Sequence, residues 1–238
     1  MPVIVFVSPK GGAGKTTAAL LLASELARSK PVTVIDADPN HPIKAWHASP
    51  AAPKNLTVVS DVTEDNVLER IRDAAGRTPF VVVDLEGTAA KIVLFAVSQA
   101  DLVIIPTQGS QLDAEQTSRA IRVLKQSESL TNRTVPYAVL LTRTNPIIRT
   151  RTMTHIQRGL IDAGIPVFTT ELHEREAFRG VFSFREPLEA LNPAEVANLD
   201  KAIANAEAFA IEVIDRLRKG RAERERQSDM QVASYEPR

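Results

Sequence analysis

Near the amino terminus, lysine, glycine and threonine are grouped in a string suited to holding phosphate: Lys10-Gly11-Gly12-Ala13-Gly14-Lys15-Thr16-Thr17. An apolar run, Val3 to Val7, precedes it, and a helical pattern, Ala18 to Ala27, follows. In a strand, turn and helix setting, glycines let backbone N–H groups close on phosphate oxygens, and the helix amino terminus adds partial positive charge. Lys15 is spaced to reach terminal phosphates and the Thr16 hydroxyl to ligate Mg²⁺. The usual pattern opens with a glycine. Pro9 stands in that slot here, with a second lysine, Lys10, beside it.

Two further groups of carboxylates fit the same chemistry. The second apolar run ends in Asp36-Ala37-Asp38-Pro39-Asn40. Carboxylates just past a strand end can hold magnesium-bound water or orient an attacking one. Proline and asparagine also suit a plain turn. The run Phe80-Val81-Val82-Val83-Asp84 has the form of a Walker B strand, four apolar residues and an aspartate that contacts Mg²⁺ through water. A carboxylate closing a buried strand is costly unless it is paired, which favours the metal-linked reading.

The pairing of Lys10 with Lys15 resembles the deviant Walker A motif of the ParA/MinD family of dimerising ATPases. The resemblance implies that Lys10 crosses a dimer interface to the partner's nucleotide, so that two ATP molecules join two subunits. It implies that Asp38, in the aspartate-x-aspartate-proline string, positions the hydrolytic water, and that Thr16, Asp38 and Asp84 surround Mg²⁺. Leu85-Glu86-Gly87-Thr88 departs from the family's second switch, although Gly87 keeps a hinge-like position. Asp113 with Gln116 makes a capping-box-like helix start. In the family, purine contacts lie at the end of the strand Ala138–Thr142, which makes Thr142 and Arg143 candidates. The string Leu172 to Arg179, with Phe182 and Arg185, is similar to small plasmid ParA proteins and to T-DNA-transfer ATPases of the VirC type. There Arg175 and Glu176 are expected near the base or the dimer seam, while His173 reads as a satisfied loop histidine. Candidate DNA contacts are Arg149, Arg151, Arg179, Arg185 and Arg218.

These groups need a scaffold, and the pattern supplies one. Short β-branched runs at Val3–Val7, Val32–Asp36, Thr57–Ser60, Val81–Asp84, Leu102–Pro106, Tyr137–Thr142 and Val167–Thr169 read as strands. Helices fit Thr17–Arg28, Glu64–Ala75, Ala114–Gln126, Thr152–Ala163 and Pro193–Arg218. The alternation predicts an α/β fold, a doubly wound, mostly parallel sheet flanked by helices, with ligand at the strands' carboxyl ends. One ATPase domain is expected over 1–218, followed by a polar, frayed tail over 219–238.

With 238 residues and 44% hydrophobic content, the chain can bury one sizeable core. It has no cysteine, which excludes disulfides and thiolate metal sites. No apolar run approaches the ~20 residues that span a bilayer, and an immediate first strand leaves no room for a signal peptide. A cytoplasmic, nucleoid-associated protein is the expectation. Formal charge is zero, yet Gln116 to Ile161 holds eight basic residues against Glu128, and Arg216 to Arg226 holds six against Glu223 and Glu225. Such clusters can make a basic face on a neutral chain, or be ordinary solvated helix surface.

The resemblance implies a partition-type ATPase: a nucleotide-sandwich homodimer that binds DNA nonspecifically and hydrolyses ATP slowly. A small cargo-bound or centromere-binding adaptor stimulates the hydrolysis. Because the first strand starts at once, the helix-turn-helix domain of larger ParA proteins is expected to be absent, and base-specific reading with it. Two alternatives compete. A MinD-like membrane ATPase needs a basic amphipathic terminal helix, and Arg224 to Arg238 has no apolar face. A metabolic P-loop ligase needs a small substrate, and Lys10 with the basic clusters argues against it.

Overall fold

A computed structural model describes residues 1–8, 11–85 and 90–233, in which seven strands form one sheet. They are β1 (Val3–Phe6), β2 (Val32–Ala37), β3 (Leu56–Val59), β4 (Phe80–Leu85), β5 (Leu102–Thr107), β6 (Tyr137–Thr144) and β7 (Leu172–His173). Their order is β3-β2-β4-β1-β5-β6-β7, and every pairing is parallel. β1, β2 and β5 are buried along their whole length. Their runs of valine and isoleucine follow from having both faces covered.

The helices are α1 (Lys15–Ala27), α2 (Pro42–His47), α3 (Val67–Arg77), α4 (Ala90–Gln99), α5 (Gln111–Thr131), α6 (Arg151–Asp162), α7 (Glu176–Gly180) and α8 (Leu199–Ala233). Alternate strand residues divide the core into two layers. Phe6, Val34, Val82 and Ile104 pack with Leu22 of α1 and Phe209 of α8, while Val5, Ile35, Val83 and Ile105 pack with Ile71 of α3 and Ile121 of α5. α1 is buried on most sides because it lies between the sheet and α8. From β1 the chain leaves through α1 on one face, and from β4 it leaves through α4 on the other. That reversal beside β1 opens a crevice at the strands' carboxyl ends, where ligands of such sheets bind.

Helices α2, α4 and α7 are additional to the sequence expectation, α8 begins at Leu199 and not Pro193, and three further features differ. Residues 167–169 make only an isolated bridge, Val139 to Val167, and the edge strand is Leu172–His173 instead. A register shift between Thr142 and Thr144 bulges β6 and puts Arg143 at φ 52°. The last helix does not end at Arg218 but runs on to Ala233 through most of the expected tail. Arg224 donates to Asp101 at 2.8 Å, and Gly220 lies against Pro136, where a Cβ would sit 3.4 Å away. These long-range contacts hold a stretch that has little apolar pattern of its own. Residues 234–238 lie outside the described part.

Candidate functional site

The loop between β1 and α1 turns at Gly12 (φ 79°) and Gly14 (φ 88°), both in the left-handed region that favours glycine. Gly14 is the N-cap of α1 and supplies no side-chain cap, and the first helical turn holds no acid. The first-turn N–H groups therefore remain available to an outside anion, with the helix dipole behind them. Two carbonyls of the loop are held from neighbouring strands. Gln108 donates to the Gly12 carbonyl at 2.6 Å, and the buried Thr142 hydroxyl donates to the Ala13 carbonyl at 2.9 Å. Lys15 and Thr16 open the helix, with Lys15 buried at 9% exposure. Lys10 lies outside the described residues, as do Glu86, Gly87 and Thr88, and so does the side chain of Asp113.

Asp36 and Asp84 are register partners on β2 and β4, and both are fully buried on the face that α1 covers. Asp36 accepts the Lys44 N–H at 2.9 Å through one oxygen. Its other oxygen and both oxygens of Asp84 have no hydrogen-bond partner. Burial pushes the Asp84 carboxyl up to about 7, the neighbouring Asp36 and Asp38 charges add to the rise, and the Thr16 hydroxyl and Lys15 ammonium oppose it. Burial also raises Asp36, against the N–H of Lys44 and the charge of His41. Asp38 is half-buried just beyond the strand and accepts the Asn40 N–H at 2.8 Å, so the motif forms a turn while keeping its carboxylate close enough to Asp84 for their charges to interact.

This donor set fits Mg²⁺. Among the described residues no three His, Cys, Asp or Glu side chains converge to hold a metal unaided. Mg²⁺ in phosphate-transfer sites takes one or two protein ligands and completes its shell with phosphate oxygens and water. Unpartnered buried carboxylate oxygens beside a threonine hydroxyl at a glycine loop match that demand, and Asp36 stands next to Asp84 in that set.

On the other side of the loop lies a cavity of about 280 Å³, lined by Gly14, Thr17, Thr142, Arg143, Phe178 and Phe182 among others. The two purine candidates part here. Thr142 is buried and its hydroxyl is used by the loop, whereas Arg143 is carried outward by the bulge, 3.7 Å from Glu174. Arg175 lines the same cavity, with its Nε buried and unpartnered, and Glu176 pairs with Arg179. His173 bonds the Thr144 hydroxyl at 2.7 Å.

The five candidate DNA contacts also divide. Arg149 pairs with Glu171, Arg179 with Glu174 and Glu176, and Arg218 with Asp215. Arg151 and Arg185 are exposed and have no ion pair among the described residues. Sequence reasoning gave no role to Gln108. Its only signal is its place directly after a buried strand facing the loop.

Residues 1–217 match the family model described as VirC1 protein. A ParA protein of Rhizobium radiobacter is 38% identical over 218 residues, covering 91% of this chain and 98% of the relative. A virC1 protein of Rhizobium rhizogenes is 31% identical over 186 residues, covering 75% of this chain and 79% of its own. In fold, an ATP complex of McdA from Cyanothece superimposes with a TM-score of 0.74 at 17% identity, covering 90% of this chain and 96% of that one.

Proposed function

This chain belongs to the VirC1 protein family within the ParA-like P-loop ATPases, and we propose that it binds ATP with Mg²⁺, dimerises around it, and then binds DNA nonspecifically. Slow hydrolysis, stimulated by a small adaptor, returns it to the free state and so positions a plasmid, a DNA intermediate or another cargo. The observation that carries this reading is the three unpartnered buried carboxylate oxygens, one of Asp36 and two of Asp84, beside a glycine loop whose helix end is left uncapped.

The roles follow from position. The N–H groups of Gly11 to Thr17 cradle phosphate oxygens and Lys15 neutralises their charge. Thr16 and Asp84 hold Mg²⁺, directly or through water. The ion withdraws charge from the phosphate oxygens when bound. Asp38, on a turn beside the loop, orients the attacking water. Lys10 crosses to the partner's nucleotide. Arg143 and the phenyl walls of Phe178 and Phe182 border the base. No described helix is long and apolar enough to cross a membrane.

A single binding face offers few phosphate contacts, and a dimer doubles them at once. DNA retention should therefore depend on ATP. The test is a retardation assay on unrelated duplexes with ATP, ADP or no nucleotide, at two salt concentrations. Retention only with ATP, weakening with salt and indifferent to sequence, is the expected result. Retention that is equal in all three nucleotide states removes the timing role.

A further inference from the structure

Of the two basic clusters in the chain, the one on α8 is mostly paired, four of its six cations meeting a carboxylate and Lys219 and Arg226 meeting none among the described residues. In α8, Arg216 pairs with Glu212, Arg218 with Asp215, Arg221 with Glu225 and Arg224 with Asp101. In the other cluster Arg133, Arg143 and Arg149 pair with Asp101, Glu174 and Glu171, and the five cations on α5 and α6 do not pair. Arg119, Arg122 and Lys125 on α5, and Arg151 and Arg158 on α6, are all exposed and have no ion pair among the described residues. Their spacing puts them on one side of each helix, since residues three, four and seven apart share a face. The inward sides are occupied by Ala120, Ile121 and Leu124 on α5 and by Met153, Ile156 and Leu160 on α6. His155, one turn from Arg151, shares the outer stripe. Among the described side chains, Glu115 and Asp162 are the exposed acids on these faces, while Glu128 is half-buried and accepts the Val135 N–H at 3.3 Å.

We infer that this outer face of α5 and α6 is where duplex DNA lies, with its five cations neutralising backbone phosphates. The inference rests on the DNA-binding reading above and gives that binding a place. α5 and α6 are packed against one another. Neighbouring helices sit roughly 10 Å apart, and Arg151 to Arg158 spans about 10 Å along the axis at 1.5 Å per residue. Over that length a duplex presents about six phosphate charges. The face thus matches a short stretch of backbone in both reach and charge. It carries neither an aromatic platform nor a protruding strand that would read bases, so recognition is by charge alone.

The experiment measures binding of the full-length protein to a mixed-sequence duplex by fluorescence anisotropy, with ATP and Mg²⁺, across a salt series. A variant carrying Arg119→Glu, Arg122→Glu and Arg158→Glu is set against one carrying Arg179→Glu and Arg185→Glu. A gentler triple, with glutamine at 119, 122 and 158, guards against misfolding. The α5–α6 reversal should weaken binding at least about ten-fold, and the glutamine triple should flatten the log–log salt slope by about 0.9 for each lost contact. ATP turnover without DNA should not change. If both α5–α6 variants bind with wild-type affinity and slope, the proposed face is wrong while DNA binding itself stands. If the wild-type protein binds no duplex with ATP, both the face and the reading it rests on are lost.

Discussion

Asp36 and Asp84 face one another across β2 and β4, with three of their four carboxylate oxygens unpartnered. A buried carboxylate oxygen without a partner opposes folding, so a chain that keeps three of them side by side gains something when a cation arrives. Asp84→Asn should therefore leave the thermal midpoint of the nucleotide-free protein equal or higher. The further rise that Mg²⁺ and ATP produce should shrink sharply. A nucleotide-free variant that melts well below wild type, with the ligand-induced rise intact, would make Asp84 a structural group instead.

Binding and turnover should separate at two other positions. Lys15→Gln removes the buried ammonium at the helix start and should abolish nucleotide binding, as read by equilibrium titration with a fluorescent ATP analogue. Asp38→Ala sits on an outer turn and should keep ATP affinity and dimerisation while phosphate release stops. An Asp38→Ala protein that still turns over ATP rules out its water-orienting role.

The loop's shape depends on a strand residue beside it and on its own glycine backbone. Thr142→Val deletes the donor to the Ala13 carbonyl and leaves that buried acceptor unmet, a cost of about 1–3 kcal/mol. Gly14→Ala has room, because a Cβ there meets Thr142 at an ordinary 3.5 Å, but its φ of 88° penalises any side chain by about 1–2 kcal/mol. Each should weaken ATP binding roughly ten-fold, since about 1.4 kcal/mol corresponds to one decade. Unchanged affinity in both would mean that the loop is shaped by the nucleotide itself and is not set beforehand.

Much of the scaffold is legible because strands buried on both faces write themselves as unbroken apolar runs. Val3, Val32, Leu102 and Tyr137 begin strands where the pattern places them. α4 is not legible, since Ala90–Gln99 is apolar through most of its length and lies between α3 and α5, which erases a 3.6-residue stripe. α2 and α7 are too short to show a period. Partnerships distant in sequence escape for a different reason. Gln108 to Gly12, Thr142 to Ala13, and Arg224 to Asp101 join residues roughly a hundred positions apart. Local chemistry marks the glycine loop as a candidate for phosphate, but only the folded sheet reveals what holds it. Trp46 makes the same point, its indole N–H reaching the Val181 carbonyl at 2.9 Å and so tying α2, just after Asp38, to the segment next to Phe182 of the cavity wall.

Glu25 gives the fold a pH dependence apart from the nucleotide site. Its side chain is 7% exposed on α1, and Arg28 bridges it to Glu189 at 3.0 and 3.3 Å. Burial, and then the Glu189 charge, push its carboxyl up to about 7, with Arg28 opposing. The folded protein thus holds a proton that the unfolded chain releases near 4.5, and stability falls wherever the folded state binds more protons as pH rises. The contribution is present in full below about pH 4.5 and is lost as pH climbs to about 7. Glu25→Gln removes this titration. Comparing urea midpoints of the two proteins from pH 5 to 7.5 cancels the groups they share, and the variant should gain steadily on wild type across that window. Parallel curves would mean that Glu25 is already ionised at pH 5 and that Arg28 outweighs its burial.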